Sequence, residues 1–307
     1  APKGGVKNRS MHITILANRP VMPNLPAIRA RLKEHRIRIV DTETLPVVET
    51  LVGTRCAERW QLQSDSADFE SIAWFDLGLA DHVDVNFQHE SDAISDIKLA
   101  VFDMDSTLIQ CEVIDELAIR SGVGKQVAAI TERAMRGELD FSQSFSERLG
   151  LLRNLDVDTA LEIARNLPYT DGARELMTTL RARHIRTAII SGGFSLFADQ
   201  VATELGMDEY FANTLDISDG VLTGIAIPPI VNAEYKEAKL REIAGAMGIT
   251  MRQTLAVGDG ANDLKMLNAA GIGIAFRAKP LVRSQRGIGY QRWVWTEPST
   301  FWVTAQL

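Results

Sequence analysis

Two cysteines in 307 residues, Cys56 and Cys111, provide neither a disulfide framework nor a thiolate cluster for zinc. Thiols so far apart read as free, which fits a reducing cytosol. Nowhere does the chain offer the roughly 18 consecutive apolar residues that a membrane span needs, so a cytoplasmic protein with no membrane partner is expected. The opening stretch APKGGVKNRS is basic and polar but lacks the apolar centre of a secretory leader. Residues 1–10 read as a flexible tail. Positive charge is also short: 33 Lys and Arg face 40 Asp and Glu, a formal net charge of −7. That balance argues against a nucleic-acid partner, which basic faces usually meet. It also means that an anionic substrate would need local help, such as a bound cation.

The composition itself is that of a globular protein, 46% hydrophobic and 24% charged, and the length suits one catalytic-sized domain plus a smaller one. In the first third, MHITILA alternates as a strand does, and NLPAIRARLKEHRI sets Leu25, Ile28 and Leu32 on one helical face. RIVDTETLPVV and RCAERWQLQS read as strands, DFESIAWFDLGLAD as a helix and VDVNFQ as a last strand. The order β-α-β-β-α-β is the split βαβ pattern, an α+β ferredoxin-like domain over residues 11–95. From Ile97 onward the strands become continuous apolar runs: KLAVFD, RTAIIS, TLAVGD and GIGIAF. Such runs alternating with helices imply an α/β architecture, a parallel sheet covered on both faces. In such sheets the reactive groups lie beyond the carboxyl ends of the strands, where Asp103, Ser191 and Asp259 stand. Residues 113–167 hold helical stretches and no clear strand, which reads as a helical cap inserted over those ends. LDISDGVLTGIAI alternates around Asp219-Gly220, a hairpin signal.

The chemistry-bearing residues follow the same frame. Asp103 and Asp105, in AVFDMDSTLIQCE, put two carboxylates within three positions at a strand end. Groups that close repel unless a cation lies between them. Magnesium suits the place because it takes oxygen ligands, often only one or two of them carboxylates. AVGDGANDLKML adds Asp259 and Asp263 at another strand end, with Asn262 between them. Ser191, Gly192 and Gly193 join a strand to a helix, where backbone N–H groups can meet an anion. Lys236 is a candidate counter-charge, with Lys239 competing for that role. Cys111 has no histidine near it in sequence; it and His184 read as structural.

Taken in order, D-x-D-S-T, then S-G-G, then lysine, then G-D-G-x-N-D, the chain resembles the haloacid dehalogenase superfamily of phosphatases. Within it the phosphoserine phosphatases are the most similar, from about Lys98 to Pro280, the cap stretch AMRGELDFSQSFSERLGLL included. The resemblance implies a Rossmannoid core over 96–112 and 168–290 with a C1-type helical cap. It implies Mg²⁺-dependent hydrolysis of phosphoserine, a phosphoric monoester hydrolase reaction, as the last step of serine synthesis. Asp103 would be the nucleophile and Asp105 the general acid and base. Asp103, the main-chain carbonyl of Asp105, and Asp259 would hold the metal, with Asp263 in support and Asn262 beside metal and substrate. Ser191, Gly192 and Lys236 would hold the phosphate. Glu112 would meet the substrate ammonium and Arg148 its carboxylate, while Met135, Phe141 and Gly193 line the pocket. Alternative readings are a different phosphomonoester, or an amino-acid sensor with an impaired phosphatase half. The first domain resembles small amino-acid-binding modules of ACT type, which adds an amino-acid ligand or a homodimer contact to the expectations. Residues 281–307, with three of the five tryptophans, depart from the family pattern as an atypical tail, through a shifted reading frame or a lineage-specific extension.

Overall fold

The computed structural model describes residues 9–17, 19, 21–50, 53–65, 69, 72, 81, 83–89, 96–277 and 292–295, and sorts the apolar segments into two sheets. The first combines β1 (Arg9–Ala17), helix α1 (Pro26–Glu34), β2 (Arg38–Thr50), β3 (Gly53–Ser64) and β4 (Asp84–His89). Its strands lie in the order β2-β3-β1-β4 with every neighbour antiparallel. Alternation along β1 turns Met11, Ile13 and Ile15 to one face, where α1 lays Ile28 and Leu32 over them beside Trp60 and Leu62. Leu25 cannot cap α1, and the Asp81 carboxylate accepts the Ala27 and Ile28 N–H groups instead. This is the strand order of the split βαβ pattern. The helix expected over 68–81 falls almost entirely outside the described residues. Arg9 and Ser10, expected in the tail, pair with Ser64 and Gln63, because β3 is long enough to carry β1 two residues further back.

The second sheet follows from β5 (Leu99–Phe102). Four helices come next: α2 (Val113–Arg120), α3 (Gly124–Met135), α4 (Phe141–Gly150) and α5 (Val157–Arg165). Then come α6 (Ala173–Ala182), β6 (Arg186–Phe194), α7 (Ser195–Leu205), β7 (Glu209–Ser218) and β8 (Val221–Ile227). The chain closes with α8 (Ala233–Ala246), β9 (Thr254–Gly258), α9 (Leu264–Ala269), β10 (Ile272–Phe276) and β11 (Arg292–Trp295). The strand order is β11-β10-β9-β5-β6-β7-β8, parallel except where β7 meets β8. Every residue of β5, β9 and β10 is buried, as continuous apolar runs require. Ala100, Phe102, Ile189 and Val257 face α6 and α7, while Leu99, Val101, Ala188 and Ile190 face α8 and α9. The chain leaves β5 toward β6 on one side and returns to β9 on the other. The crevice beyond their carboxyl ends is therefore the topological switch point.

Two features depart from expectation. Ser191-Gly192-Gly193 is not a turn leading into a helix: β6 runs on to Phe194 and α7 starts at Ser195. Pairing with β7 passes from Ile190↔Phe211 to Phe194↔Asn213, so these three residues bulge out of the ladder opposite Ala212 alone. Within residues 281–307, expected as an atypical tail, Arg292–Trp295 forms a parallel edge strand on β10. The hairpin forms as expected, with Asp219 and Gly220 at φ 51° and 79°, the left-handed pair of a two-residue turn. It straps the connection between α4 and α5: Asn154 N–H donates to the Leu222 carbonyl, Leu222 N–H to that of Leu155, and Val157 N–H to that of Gly220.

A Cβ on Gly273 would overlap the carbonyl oxygen of Leu267, where α9 presses on β10. Gly273→Ala is expected to cost about 1–3 kcal/mol, read as a lower midpoint in urea unfolding; an unchanged midpoint would contradict this packing.

Candidate active site

Three strand ends supply the floor of the site. Asp103 follows β5 directly, its N–H donating to the Val257 carbonyl at 2.8 Å, so β9 fixes where it leaves the sheet. The next residues wind around one atom: the N–H groups of Thr107, Leu108 and Ile109 all donate to the Met104 carbonyl. Ser106 takes a left-handed φ of 55° to make that turn. The loop returns at Glu112, whose Oε1 accepts the Ser106 hydroxyl at 2.8 Å. Val113, the first residue of α2, donates its N–H to Asp105 Oδ2 at 3.4 Å, while Asp105 Oδ1 is buried with no hydrogen-bond partner. Burial, then Glu112, then Asp103 raise the Asp105 pKa well above the usual carboxylate range.

A buried lysine closes the floor from below. Lys236, in the first turn of α8, has no exposed surface, and its Nζ lies 2.8 Å from Asp103 Oδ1 and 2.6 Å from Asp263 Oδ1. Burial alone pulls its pKa down, but the two carboxylates more than offset that and the net direction is up. Asp263 Oδ2 accepts the N–H groups of Asp259 and Gly260 at 3.1 and 2.9 Å. Burial and then Asp103 raise the Asp263 pKa to about 6 against the pull of Lys236. Lys239, the competing candidate, turns away: it pairs with Glu242 at 2.7 Å and lies over the Phe211 ring.

One carboxylate oxygen each from Asp103, Asp259 and Asp263 lies within 4.8 Å of the others, all three residues buried. An all-oxygen, anionic donor set fits a hard divalent cation. Since Asp263 already engages one oxygen with Lys236 and the other with two N–H groups, Asp103 and Asp259 are the pair fitted to coordinate it.

The cavity above is polar below and mixed above. Asp103, Asp105, Ser191, Gly192, Gly193, Asp259 and Asn262 form the floor; Glu112, Val113, Ile114, Phe141, Phe145 and Arg148 cover it. Phe141 stacks on Phe145 with ring centroids 6.0 Å apart, and Phe145 meets Phe194 at 5.9 Å. Arg148 donates from Nε to the Ser144 carbonyl, one turn back. Burial lowers its pKa, with Asp115, Glu112 and Asp105 opposing. The neighbouring cap acids Glu147 and Glu138 pair with Arg133 and Arg136. Gly193 permits a close approach: a Cβ there would lie 2.7 Å from Met104 Cε and 3.2 Å from Asp105 Oδ2.

Met135 is the expected lining residue that the structure does not bring to the cavity. It ends α3 at 79% exposure. Val127 is the one buried residue of that helix, and at 100° per residue Met135 lies about 80° around from it. The Cys111 thiol, half-buried beside Asp105 and Glu112, is pushed up to about 12, chiefly by burial, and so stays protonated and inert. His184 precedes β6, at the opposite end of that strand from Ser191.

Sequence reasoning missed Phe145 and Asn213. Phe145 was accessible, since it follows Phe141 by four positions on an amphipathic helix. Asn213 lies within β7 with no exposed surface, donating from Nδ2 to the Gly192 carbonyl at 2.8 Å and accepting the Val231 N–H at 2.8 Å.

Residues 97–271 match the model of the haloacid dehalogenase-like hydrolases. The chain is 48% identical over 193 residues to the phosphoserine phosphatase of Streptococcus thermophilus, covering 62% of this chain and 90% of that protein. It is 47% identical over 212 residues to phosphoserine phosphatase SerB2 of Mycobacterium tuberculosis, covering 69% of this chain but only 52% of that longer relative. A solved phospho-aspartyl intermediate analogue of phosphoserine phosphatase superposes with a TM-score of 0.60 at 38% identity, over 66% of this chain and 94% of that one. The chain belongs to the haloacid dehalogenase-like hydrolases, and within them to the phosphoserine phosphatase family.

Proposed function

We propose that the chain hydrolyses O-phospho-L-serine to L-serine and inorganic phosphate, in a cytoplasmic setting, as the last step of serine synthesis. One observation carries the reading: across a single cavity, a floor suited to a phosphoryl group faces a roof with one acid and one arginine. Asp103 attacks phosphorus, with Lys236 Nζ 2.8 Å from its Oδ1. The product is an acyl phosphate on Asp103, which water then hydrolyses, so one hard displacement becomes two easier ones. Asp105 gives its proton to the departing serine oxygen and later takes one from the attacking water. Its raised pKa supports the protonated form that the first step needs.

The Ser191 hydroxyl, Gly192 and Lys236 take up charge on the phosphoryl oxygens. Magnesium would be held by Asp103, the main-chain carbonyl of Asp105 and Asp259, and supplies Lewis-acid neutralisation of the phosphate. Asn262 and Asp263 stand behind that set. In the roof, Glu112 meets the substrate ammonium, and the planar fork of Arg148 matches two carboxylate oxygens. Phe141 and Gly193 bound the space between. The relatives' names support this substrate over other monoesters, and the Glu112–Arg148 pair explains why an amino acid would be preferred.

Two outcomes are expected. Protein stripped with EDTA loses phosphoserine turnover and regains it with Mg²⁺, followed by phosphate release; full turnover in EDTA would defeat the metal reading. Arg148→Ala lowers kcat/KM for phosphoserine about 100-fold, yet leaves an aryl phosphate without a carboxylate within a few-fold. An equal loss on both substrates would remove the amino-acid assignment.

A further inference from the structure

Asn213 joins the two elements that the proposed function assigns to the phosphate. Asn213 pairs with Phe194 on β6, and the 191–193 bulge just before Phe194 presents one peptide plane, that between Gly192 and Gly193, clamped at both ends. Its carbonyl accepts the Asn213 Nδ2 hydrogen at 2.8 Å, and its N–H donates to Ser191 Oγ at 3.0 Å. In a trans peptide the C=O and N–H point in opposite directions. Fixing the carbonyl toward Asn213 therefore fixes the N–H toward Ser191. With a lone pair of Ser191 Oγ committed to that N–H, the hydroxyl hydrogen is left to donate elsewhere. The other end of the Asn213 amide accepts the Val231 N–H, next to Asn232, whose side chain caps α8 by accepting the Tyr235 N–H. That helix carries Lys236 in its first turn. One amide with no exposed surface thus ties the serine loop to the start of the lysine helix.

We propose that Asn213 is a positioning residue, which orients the Ser191 hydroxyl toward the phosphoryl group by holding the Gly192–Gly193 peptide and registers that loop against α8. The inference rests on the phosphoserine reading. No other residue type does this work in the same volume: aspartate keeps the acceptor for Val231 but turns a carboxylate oxygen on the Gly192 carbonyl, and leucine makes neither bond.

The test is a double-mutant cycle on the full chain, with kcat and KM for phosphoserine and for an aryl phosphate, and inhibition by inorganic phosphate, each per folded molecule. Asn213→Asp and Asn213→Leu are each expected to lower kcat/KM at least about tenfold, the scale of one lost buried hydrogen bond. The loss should be alike for both substrates, with weaker phosphate inhibition. In a Ser191→Ala background the same changes should add little, because the group they orient is gone. Unchanged kinetics per folded molecule, or a full additional loss on top of Ser191→Ala, would overturn the proposal and leave Asn213 a purely structural residue. Should the leucine variant not fold, the aspartate variant decides alone by the same criteria. A wild-type chain inert toward phosphoserine would overturn the functional reading as well; an active wild type with indifferent Asn213 variants overturns this inference only.

Discussion

The ion pair between Lys236 and the carboxylates of Asp103 and Asp263 is the constraint on which the rest depends. A lysine with no exposed surface forfeits its hydration, and so do the acids around it; such a cluster persists only when geometry returns the cost. Here it does so through two short contacts to Nζ and two backbone N–H groups on the far oxygen of Asp263. The elements that supply these groups come from far apart in the sequence. The crossover topology brings them together because β5 and β9 are neighbours and α8 packs beneath both. Removing one member of such a cluster would leave an uncompensated buried charge, a cost of about 3–5 kcal/mol.

From this pair the division of labour at the site follows. Asp263 engages both oxygens, with the lysine and with the loop after β9, so Asp103 and Asp259 are the acids proposed for a cation. Asp105 sits among acids, away from the lysine contacts, and burial drives it toward its protonated form. Two aspartates two positions apart thus meet different surroundings, Asp103 beside the Lys236 ammonium and Asp105 buried among acids that raise its pKa. The roof is tied down by the Ser106 hydroxyl on Glu112, the Val113 N–H on Asp105 and the hairpin strap at residues 154–157.

Much of this was legible in the sequence, for identifiable reasons. Continuous apolar runs ending in aspartate marked β5 and β9, and the Asp219-Gly220 dipeptide marked the β7–β8 hairpin. Lys236 could not be told from Lys239 by type, since both lie on α8, and only packing shows one buried and the other over Phe211. The resemblance puts Met135 in the pocket lining, whereas here it lies exposed at the end of α3, since a motif says nothing about which way a helix turns its last residue. The 191–193 bulge was read as a turn because glycines signal both, and register with β7 decides between them. Asn213 gave no signal at all: its partners are backbone groups, and backbone groups have no side-chain pattern to match. The same holds for Arg292–Trp295, whose strand character comes from the open edge of β10 rather than from its own periodicity.

The account's central claim is that Asp103, held by Lys236, becomes covalently phosphorylated. The most direct measurement is acid quench of the protein turning over phosphoserine, followed by mass spectrometry of its peptides. The account predicts a phosphoryl group on the peptide carrying Asp103, lost along with turnover in Asp103→Asn. A phosphoryl group found on another residue, or turnover that survives Asp103→Asn, would contradict it.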